Sequence, residues 1–336
     1  MIREQLEKIA QGVDLNRQEA AMVLQMMIEN QLSGTEIGAF LFGLRMKGEA
    51  VEEIQGFIDT MQQNMVPVRL HDREAVDVCG TGGDNKHSFN VSTATAIVTA
   101  AGGVTVAKHG NRSVSSKTGS ADVLEELGVR IDLPPEKTRQ CIDETGIGFL
   151  FAPLYHPAMK AVVPHRRNLA IRTVFNMLGP LLNPAGVRRQ LIGTFNLETA
   201  EKIASVLQQR RYAKACVVHS EDGFDEISPF AENRIFEVDS RYKTVHHNFF
   251  CSGLKADTSV RGGDRKENAH ILLSILKGDR GTYREMTLLN AAFGLYVAGK
   301  VASPDEGIQL AAELIDSGKA LAKLQEFISV SQKLAN

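Results

Sequence analysis

Glycine and hydroxyl-bearing residues crowd the segment from Gly80 to Thr93, which reads GTGGD at 80–84 and SFNVST at 88–93. Three glycines within four residues allow positive φ angles and let the backbone approach a ligand closely. A helix that begins near Ser92 would direct its free N–H groups at this loop, which suits a phosphate or pyrophosphate. The plainer alternative is a tight strand–helix turn with an ordinary Asn or Ser cap. The spacing matches neither the Walker loop nor the dinucleotide fingerprint, which disfavours an ATPase or a dehydrogenase.

A second polar segment, KHGNRSVSSK at 108–117, concentrates three cations among hydroxyl groups. It follows a short β-like run, and open α/β folds bind ligands at the carboxyl ends of their strands. Cationic donors at that position favour an anion, although a solvated loop is the alternative. Because two successive β-like runs end in anion-binding chemistry, the pattern predicts one phosphate-type site built from both loops.

Four acidic residues lie just past another β-like run, within HSEDGFDEIS at 219–228. Carboxylate oxygens suit Mg²⁺, which commonly bridges protein carboxylates and substrate phosphates. Taken alone, the segment could equally be an acidic surface turn. Beside two phosphate-type loops, the metal interpretation is favoured.

A fourth segment carries HPAMK at 156–160, PHRR at 164–167 and NMLGPLLNP at 176–184. An arginine here could pair with a substrate carboxylate through two parallel hydrogen bonds. Alone this signal is weak, because adjacent arginines usually form a solvated helix face and His156 could simply cap a helix.

The elements that must position these segments change character near residue 70. The chain before it has helical periodicity, with a capping-box start at Asn16 and another helix start at Ser33. From Val76 onward, β-like runs alternate with helical ones, which indicates a largely parallel sheet covered by helices. Parallel strands are expected at 76–79, 104–107, 148–151, 191–194 and 215–218, and antiparallel or mixed pairing at 234–238 and 245–249.

The predicted fold class is therefore α/β: a small all-helical N-terminal domain plus a larger α/β domain with a mostly parallel central sheet covered by helices. We expect the helical domain at 1–70, joined by helices from about 156–182, and the α/β domain at 71–336. The C-terminal third returns to helix, and SPDE at 303–306 is a strong local helix start.

Composition narrows the function classes. A formal net charge of −2 gives no global attraction to nucleic acid or to an anionic membrane, and the absence of Trp argues against a base-stacking platform. The four cysteines form no C-x-x-C pair, which suits a reduced cytosol. No secretory signal opens the chain, and the most apolar stretch, 94–107, is too short to span a bilayer. We therefore expect a cytoplasmic protein with no nucleic-acid or membrane partner.

Together and in this order, the segments resemble the anthranilate phosphoribosyltransferase family. The resemblance covers almost the whole chain and is carried by GTGGD, FNVST, KHGNR, VSSK, GSAD, HPAMK, RR, LGPLLNP, the DE pair at 225–226 and NAA at 290–292. It implies a Mg²⁺-dependent glycosyltransferase, more narrowly a pentosyltransferase, of the nucleoside phosphorylase/phosphoribosyltransferase fold family. It also implies a homodimer formed through the helical part.

The reaction that the resemblance implies belongs to tryptophan biosynthesis. The phosphoribosyl group of phosphoribosyl pyrophosphate (PRPP) would pass to the amine of anthranilate, which gives N-(5-phosphoribosyl)anthranilate and pyrophosphate. The partners expected are therefore these two small molecules and a second copy of the chain.

The resemblance further implies a role for each residue that matches the family motifs. Lys108 and Arg166 would be catalytic, and two Mg²⁺ ions per monomer would be bound by Ser92, Asp225 and Glu226. PRPP would be held by Gly80, Gly83, Asp84, Ser88, Asn90, Thr93, Lys108, Ser116 and Ser120. Anthranilate would be bound by Asn111 and Arg166, with His109 and His156 nearby. The other residues expected to line the substrate site are Val91, Gly110, Arg112, Ser113, Val114 and Ser115.

Three residues depart from the family pattern. Ser88 stands where Thr is usual and keeps the hydroxyl, whereas Ser113 and Ser220 stand where glycine is expected. None of the three removes a ligand, so the departures bear on rates more than on identity.

Other functions are compatible with parts of the pattern. A pyrimidine-nucleoside phosphorylase shares the fold class, but it would use inorganic phosphate without the acidic pair, and its own glycine and lysine motifs are absent. A homologue that has become a nucleic-acid-binding protein is opposed by the near-neutral charge and the intact ligand set. A related aromatic amino acid also stays open as the acceptor.

Overall fold

Two stretches of the chain that are far apart in sequence form one helical unit. The computed structural model describes residues 2–113, 118–240, 243–246 and 260–336. The helical unit comprises Met1–Val66 and Pro153–Leu182, and the α/β unit comprises Pro67–Ala152 and Asn183–Asn336. The residues that build the first part of the sheet therefore separate the two stretches of the helical unit.

Capping residues set the starts of the first helices. Asn16 Oδ1 accepts the Glu19 N–H at 2.9 Å and the Glu19 carboxylate accepts the Asn16 N–H at 2.9 Å, so the predicted capping box is confirmed. Ser33 and Glu36 cap the third helix in the same way, and Gly48 ends it at a φ of 86°. The helices of this unit, numbered along the whole chain, are α1 (Arg3–Ala10), α2 (Arg17–Ile28), α3 (Gly34–Lys47), α4 (Val51–Gln63), α8 (Ala152–Tyr155), α9 (Met159–Leu169) and α10 (Phe175–Leu178), with a 3₁₀ turn at Gly179–Leu182.

A central sheet organises the α/β unit. The strands within the described residues are β1 (Val76–Gly80), β2 (Val106–Gly110), β3 (Ile147–Phe151), β4 (Arg189–Gly193), β5 (Lys214–Ser220), β6 (Asn233–Asp239) and β7 (Lys243–His246). Their order in the sheet is β3-β2-β1-β4-β5-β6-β7, with β6 and β7 antiparallel and the others parallel. This confirms the predicted fold class. β2 starts at Val106 and not at Val104, because its pairing with β1 and β3 begins at Val106.

Helices cover this sheet. They are α5 (Val91–Ala101), α6 (Ser120–Glu126), α7 (Pro135–Thr145), α11 (Leu197–Gln209), α12 (Arg265–Leu276), α13 (Thr282–Val297), α14 (Pro304–Asp316) and α15 (Lys319–Ala335). α5 is buried along most of its length, which explains its nearly continuous run of apolar and small residues. Ser303 Oγ accepts the Glu306 N–H at 3.3 Å, which confirms the predicted start of α14. In the described part of the chain, no helix combines the length and the apolar character that a bilayer crossing needs.

The strand order reverses between β1 and β4. From β1 the chain builds outward through β2 to β3, and β4 then pairs with the other side of β1 and leads to β5. Gly80 at the end of β1 pairs with Gly193 at the end of β4. In open α/β sheets, ligands bind outside the carboxyl ends of the strands at such a reversal. The topology thus singles out the loops that follow β1 and β4.

Candidate active site

The glycine-rich loop after β1 is joined to the end of β4. Thr81 N–H donates to the Gly193 carbonyl at 2.9 Å, and Phe195 N–H donates to Thr81 Oγ1 at 3.2 Å. Gly82 and Gly83 have φ angles of 67° and 80°, the left-handed conformation that the glycine pattern predicts. The backbone N–H and the hydroxyl group of Thr81 therefore both hold the loop at the reversal point of the sheet.

The acidic segment after β5 crosses directly over these two strand ends. The Gly82 N–H donates to Asp225 Oδ2 at 2.7 Å. A Cβ atom on Gly80 would overlap the Asp225 carboxylate, and one on Gly193 would overlap the Asp225 carbonyl. Glycine is required at both positions because Asp225 occupies the space that a side chain would fill.

Three carboxylates from two loops, Asp84, Asp225 and Glu226, lie close together here. Asp225 is 8% exposed, and its N–H lies 3.5 Å from Asp84 Oδ2. Burial, reinforced by the negative charge of Asp84, raises the pKa of Asp225 to about 7. Desolvation and the charge of Asp225 likewise raise the pKa of Glu226 well above its usual value. This mutual repulsion is what a bound cation would relieve.

Lys108 brings a buried positive charge to the same place. Its side chain is on β2 and 3% exposed, and its ammonium donates to the Val78 carbonyl at 2.8 Å and to Ser92 Oγ at 3.1 Å. Burial lowers the pKa of Lys108, while the nearby negative charges, including Asp77 and Glu226, oppose that shift. The predicted residues Ser92, Lys108, Asp225 and Glu226 are thus brought together at the start of α5.

A buried carboxylate that the sequence reasoning missed lies below this group. Asp77 is fully buried in β1 and accepts hydrogen bonds from Asn183 Nδ2 at 2.8 Å, the His109 N–H at 3.2 Å and Gln190 Nε2 at 3.4 Å. Burial raises the pKa of Asp77, and the charge of Lys108 opposes that rise. Its only sequence signal is a single acid inside the otherwise apolar run Val76–Cys79.

A ring of four hydrogen bonds holds the loop that leads into α5. Asn90 Nδ2 donates to the Thr118 carbonyl at 3.2 Å, and Thr118 Oγ1 donates to the Gly263 carbonyl at 2.9 Å. The Gly263 N–H donates to Asn268 Oδ1 at 2.8 Å, and Asn268 Nδ2 closes the ring on Asn90 Oδ1 at 2.9 Å. Asn90, predicted to bind PRPP, therefore also joins two loops, and Asn268 is a further residue that the sequence reasoning missed.

Ser88, Val91 and Thr93, which are predicted to bind substrate, lie next to this ring of hydrogen bonds in the sequence. Ser88 forms an isolated β-bridge with Arg261. Val91 is the first residue of α5, and among the described residues the buried Thr93 hydroxyl has no hydrogen-bond partner.

The loop after β2 is only partly described. Gly110 lies against Ser120, and Ser120 Oγ donates to the Asn111 carbonyl at 3.4 Å. Arg112 pairs with Asp122 at 2.7 Å and with Glu125 at 3.0 Å, so its guanidinium is engaged by acids of α6. The Ser113 N–H donates to Asp122 at 3.3 Å. The predicted residues Val114, Ser115 and Ser116 lie outside the described residues.

Two predicted residues belong to the helical unit. The Arg166 guanidinium lies 5.3 Å from the ring centre of Phe175, and it pairs with no carboxylate in the described ranges of the chain. Burial lowers the pKa of Arg166 from its usual value. Burial also lowers the pKa of His156 to about 4, which leaves this imidazole neutral at neutral pH. Among the described residues, no carboxylate pairs with the Arg166 guanidinium, and this suits binding of a substrate carboxylate.

Known proteins match almost the whole chain. A helical bundle domain of a glycosyl transferase family matches residues 3–65, and the a/b domain of that glycosyl transferase family matches residues 72–321. The chain is 45% identical to the anthranilate phosphoribosyltransferase of Aquifex aeolicus (strain VF5) over 99% of both proteins. The chain belongs to the anthranilate phosphoribosyltransferase family.

Solved anthranilate phosphoribosyltransferases have the same fold. The crystal structure of the Thermus thermophilus protein matches with a TM-score of 0.90 at 40% identity, covering 97% of this chain and 99% of that one. The Saccharomyces cerevisiae protein in complex with PRPP and Mg matches with a TM-score of 0.88 at 27% identity, covering 99% and 98%. The predicted resemblance and the predicted fold class are confirmed for this anthranilate phosphoribosyltransferase family member.

Gly193 offers a direct test of the crossing at the two strand ends. Gly193→Ala should displace the acidic segment, and a shift of about 1 Å in catalytic groups can lower kcat/KM on the order of 100-fold. Steady-state kinetics with PRPP as the varied substrate would measure the loss. Gly38→Ala is the matched control, because a Cβ there meets only Leu169, at 4.0 Å. Wild-type kinetics for Gly193→Ala would show that the crossing is not required.

Proposed function

We propose that this chain transfers the phosphoribosyl group of PRPP to the amine of anthranilate, giving N-(5-phosphoribosyl)anthranilate and pyrophosphate. The observation that carries the proposal is the meeting of Ser92, Lys108 and the Asp225–Glu226 pair at the reversal point of the sheet. A buried ammonium, a helix N-terminus and repelling carboxylates in one place suit a polyanion that arrives with divalent cations.

PRPP is assigned to the loops after β1 and β2. The first turn of α5 offers backbone N–H groups, and Lys108 offers a buried ammonium at the start of that helix. The PRPP-binding residues in this proposal are Gly80, Gly83, Asp84, Ser88, Asn90, Thr93, Lys108, Ser116 and Ser120, and the other residues proposed to line the substrate site are Val91, Ser92, Gly110, Arg112, Ser113, Val114 and Ser115. Lys108 would stabilise negative charge that develops on the leaving pyrophosphate.

Two Mg²⁺ ions per monomer are assigned to Ser92, Asp225 and Glu226. The fit rests on the donor set, which is two carboxylates beside a hydroxyl group. Desolvation raises the pKa of both carboxyls, and the charge of Asp84 adds to the rise at Asp225 as the charge of Asp225 does at Glu226. Mg²⁺ is usually held by one or two carboxylates together with substrate phosphates. When bound, it would neutralise pyrophosphate charge. The yeast relative in complex with PRPP and Mg supports this assignment.

The residues proposed for anthranilate are Arg166 and Asn111, together with His109 and His156. The stacked guanidinium of Arg166 would pair with the anthranilate carboxylate and orient the amine. An aromatic amine is largely unprotonated at neutral pH, so the attack on C1 of the ribose needs no strong general base. Neutral His156 is consistent with a role in shape and hydrogen bonding.

The test of the acceptor assignment follows the loss of anthranilate fluorescence in the presence of PRPP and Mg²⁺. Wild type should consume anthranilate, and Arg166→Ala should raise the KM for anthranilate roughly 10- to 100-fold, because hydrogen bonds to charged groups contribute about 1.5–3 kcal/mol. The KM for PRPP should change little.

Arg167→Ala is the matched control, since Arg167 is the adjacent, exposed arginine. No loss of fluorescence with wild type would refute the proposed reaction itself. An unchanged KM for anthranilate in Arg166→Ala would refute only the role of this arginine. Other aromatic amino acids and uridine with inorganic phosphate, run in parallel, would test the alternative substrates.

The acidic pair is tested separately. Asp225→Asn combined with Glu226→Gln should abolish Mg²⁺-dependent turnover while keeping side-chain size. Glu221→Gln in the same segment is the control, because Glu221 is exposed and pairs with Arg234 at 3.0 Å. Full activity of the double variant across a Mg²⁺ titration would refute the metal assignment.

We also propose a homodimer formed through the helical unit, with the two units acting as the predicted helical and α/β domains. The large hydrophobic side chains that the structure leaves exposed among its described residues all belong to the helical unit: Val13, Met22, Phe42, Met46, Leu154, Val163 and Ile171. α1 and α3 also border a groove lined by Ile2, Leu6, Ala10 and Glu36. Exposed apolar surface of this kind is typical of an interaction site.

The dimer can be tested on α3, where Phe42 is 52% and Met46 is 70% exposed. Phe42→Glu combined with Met46→Glu should convert the dimer to a monomer, because the charges would be buried without partners. Sedimentation velocity would measure the change. Lys333→Glu, an exposed site on α15, should leave the mass unchanged. A wild-type monomer, or a double variant that stays dimeric, would contradict the proposal.

A further inference from the structure

Asn290 on α13 binds the backbone of a residue far away in the sequence. Its side chain is 1% exposed. Asn290 Oδ1 accepts the Ile227 N–H at 3.0 Å, and Nδ2 donates to the Ile227 carbonyl at 2.9 Å and to the Met286 carbonyl at 2.8 Å. The amide thus pairs with both backbone groups of Ile227, as a neighbouring strand would.

Ile227 directly follows the acidic pair. Residues 221–228 are in neither a helix nor a strand, so they have no ladder of backbone hydrogen bonds to hold them. Asn233 at the start of β6 binds the next residue in the same way: the Ser228 N–H donates to its Oδ1 at 2.8 Å, and its Nδ2 donates to the Ser228 carbonyl at 2.8 Å. Two asparagine side chains therefore anchor consecutive residues of this segment.

The segment needs such an anchor for an electrostatic reason. The carboxylates of Asp84, Asp225 and Glu226 lie close together and repel one another, and Asp84 Oδ2 lies 3.5 Å from the Asp225 backbone nitrogen. This repulsion opposes the close packing of the segment over the two strand ends, where Asp225 fills the space that the missing Cβ atom of Gly193 leaves open. Attachment of Ile227 to α13 opposes movement of the segment away from the sheet, because α13 is buried along most of its length.

We propose that Asn290 is a positioning residue for the acidic pair: it fixes the backbone at Ile227 and thereby holds Asp225 and Glu226 beside Ser92 and Lys108. The inference rests on the proposed function, since it assigns the pair to metal binding. It gives a role to Asn290, the first residue of the NAA segment at 290–292 that carries part of the family resemblance. Asn290 touches neither substrate nor metal in this proposal and acts through Ile227.

The experiment compares Asn290→Ala with Leu295→Ala. Leu295 is also buried on α13 but packs near Gly102, away from the acidic segment, so it controls for damage to the helix. Mn²⁺ binding would be titrated by electron paramagnetic resonance with PRPP present and anthranilate absent. Partners that orient metal ligands typically contribute 10- to 100-fold, so Asn290→Ala should weaken Mn²⁺ binding about 10-fold.

Three further readouts separate positioning from general stability. In Asn290→Ala the KM for PRPP should rise, the KM for anthranilate should stay constant, and amide hydrogen exchange at Ile227 should accelerate. Leu295→Ala should lower the thermal midpoint without changing Mn²⁺ affinity. Equal Mn²⁺ affinity in Asn290→Ala and wild type would overturn the inference.

A milder variant keeps the test decisive if Asn290→Ala does not fold. Asn290→Ser keeps a small neutral side chain that can donate to the Met286 carbonyl one turn earlier but loses the pair of hydrogen bonds to Ile227, so its Mn²⁺ affinity should fall as in Asn290→Ala. Wild-type affinity in this variant would overturn the inference. If wild type itself bound no Mn²⁺ with PRPP, the metal assignment would fail, whereas exchange at Ile227 would still report whether Asn290 anchors the segment.

Discussion

The passage of Asp225 across the ends of β1 and β4 is the constraint on which the site depends. The sheet register sets Gly80 beside Gly193, and both lack the Cβ atom that would occupy the path of the acidic segment. Because the crossing is so close, Asp225 can accept the Gly82 N–H and join the glycine loop to the acidic segment. The proposed pyrophosphate site thus depends on a steric requirement for glycine at two neighbouring strand ends.

Buried side chains of opposite charge lie around that crossing. Asp77 is inside the sheet, the Lys108 ammonium reaches the start of α5, and Asp225 and Glu226 lie near that ammonium on the acidic segment. Each buried charge is costly alone, and each is stabilised by an opposite charge or by hydrogen bonds. Carboxylates at this position would repel a polyanion that carries no cations. Divalent cations make pyrophosphate compatible with them, which explains why one site would combine metal-binding and anion-binding groups.

Asparagine amides join the loops that carry these groups. An amide offers both a donor and an acceptor, so one side chain can bind both backbone groups of another residue or link two loops. Asn268 reaches Asn90, Asn183 reaches Asp77, and Asn290 reaches Ile227. These hydrogen bonds fix loops that have no strand pairing of their own. The three asparagines are themselves buried, which strengthens their hydrogen bonds.

The sequence alone determined the fold class, the helix starts at Asn16, Ser33 and Ser303, and the residue types of the phosphate and acidic loops. These follow from periodicity and from contacts between residues a few positions apart. Only the tertiary structure decided that Gly193 must be glycine, that Asn290 binds Ile227 and that Asn268 binds Asn90. The two asparagine contacts join residues 63 and 178 positions apart, and no local pattern records which distant group a buried amide will meet.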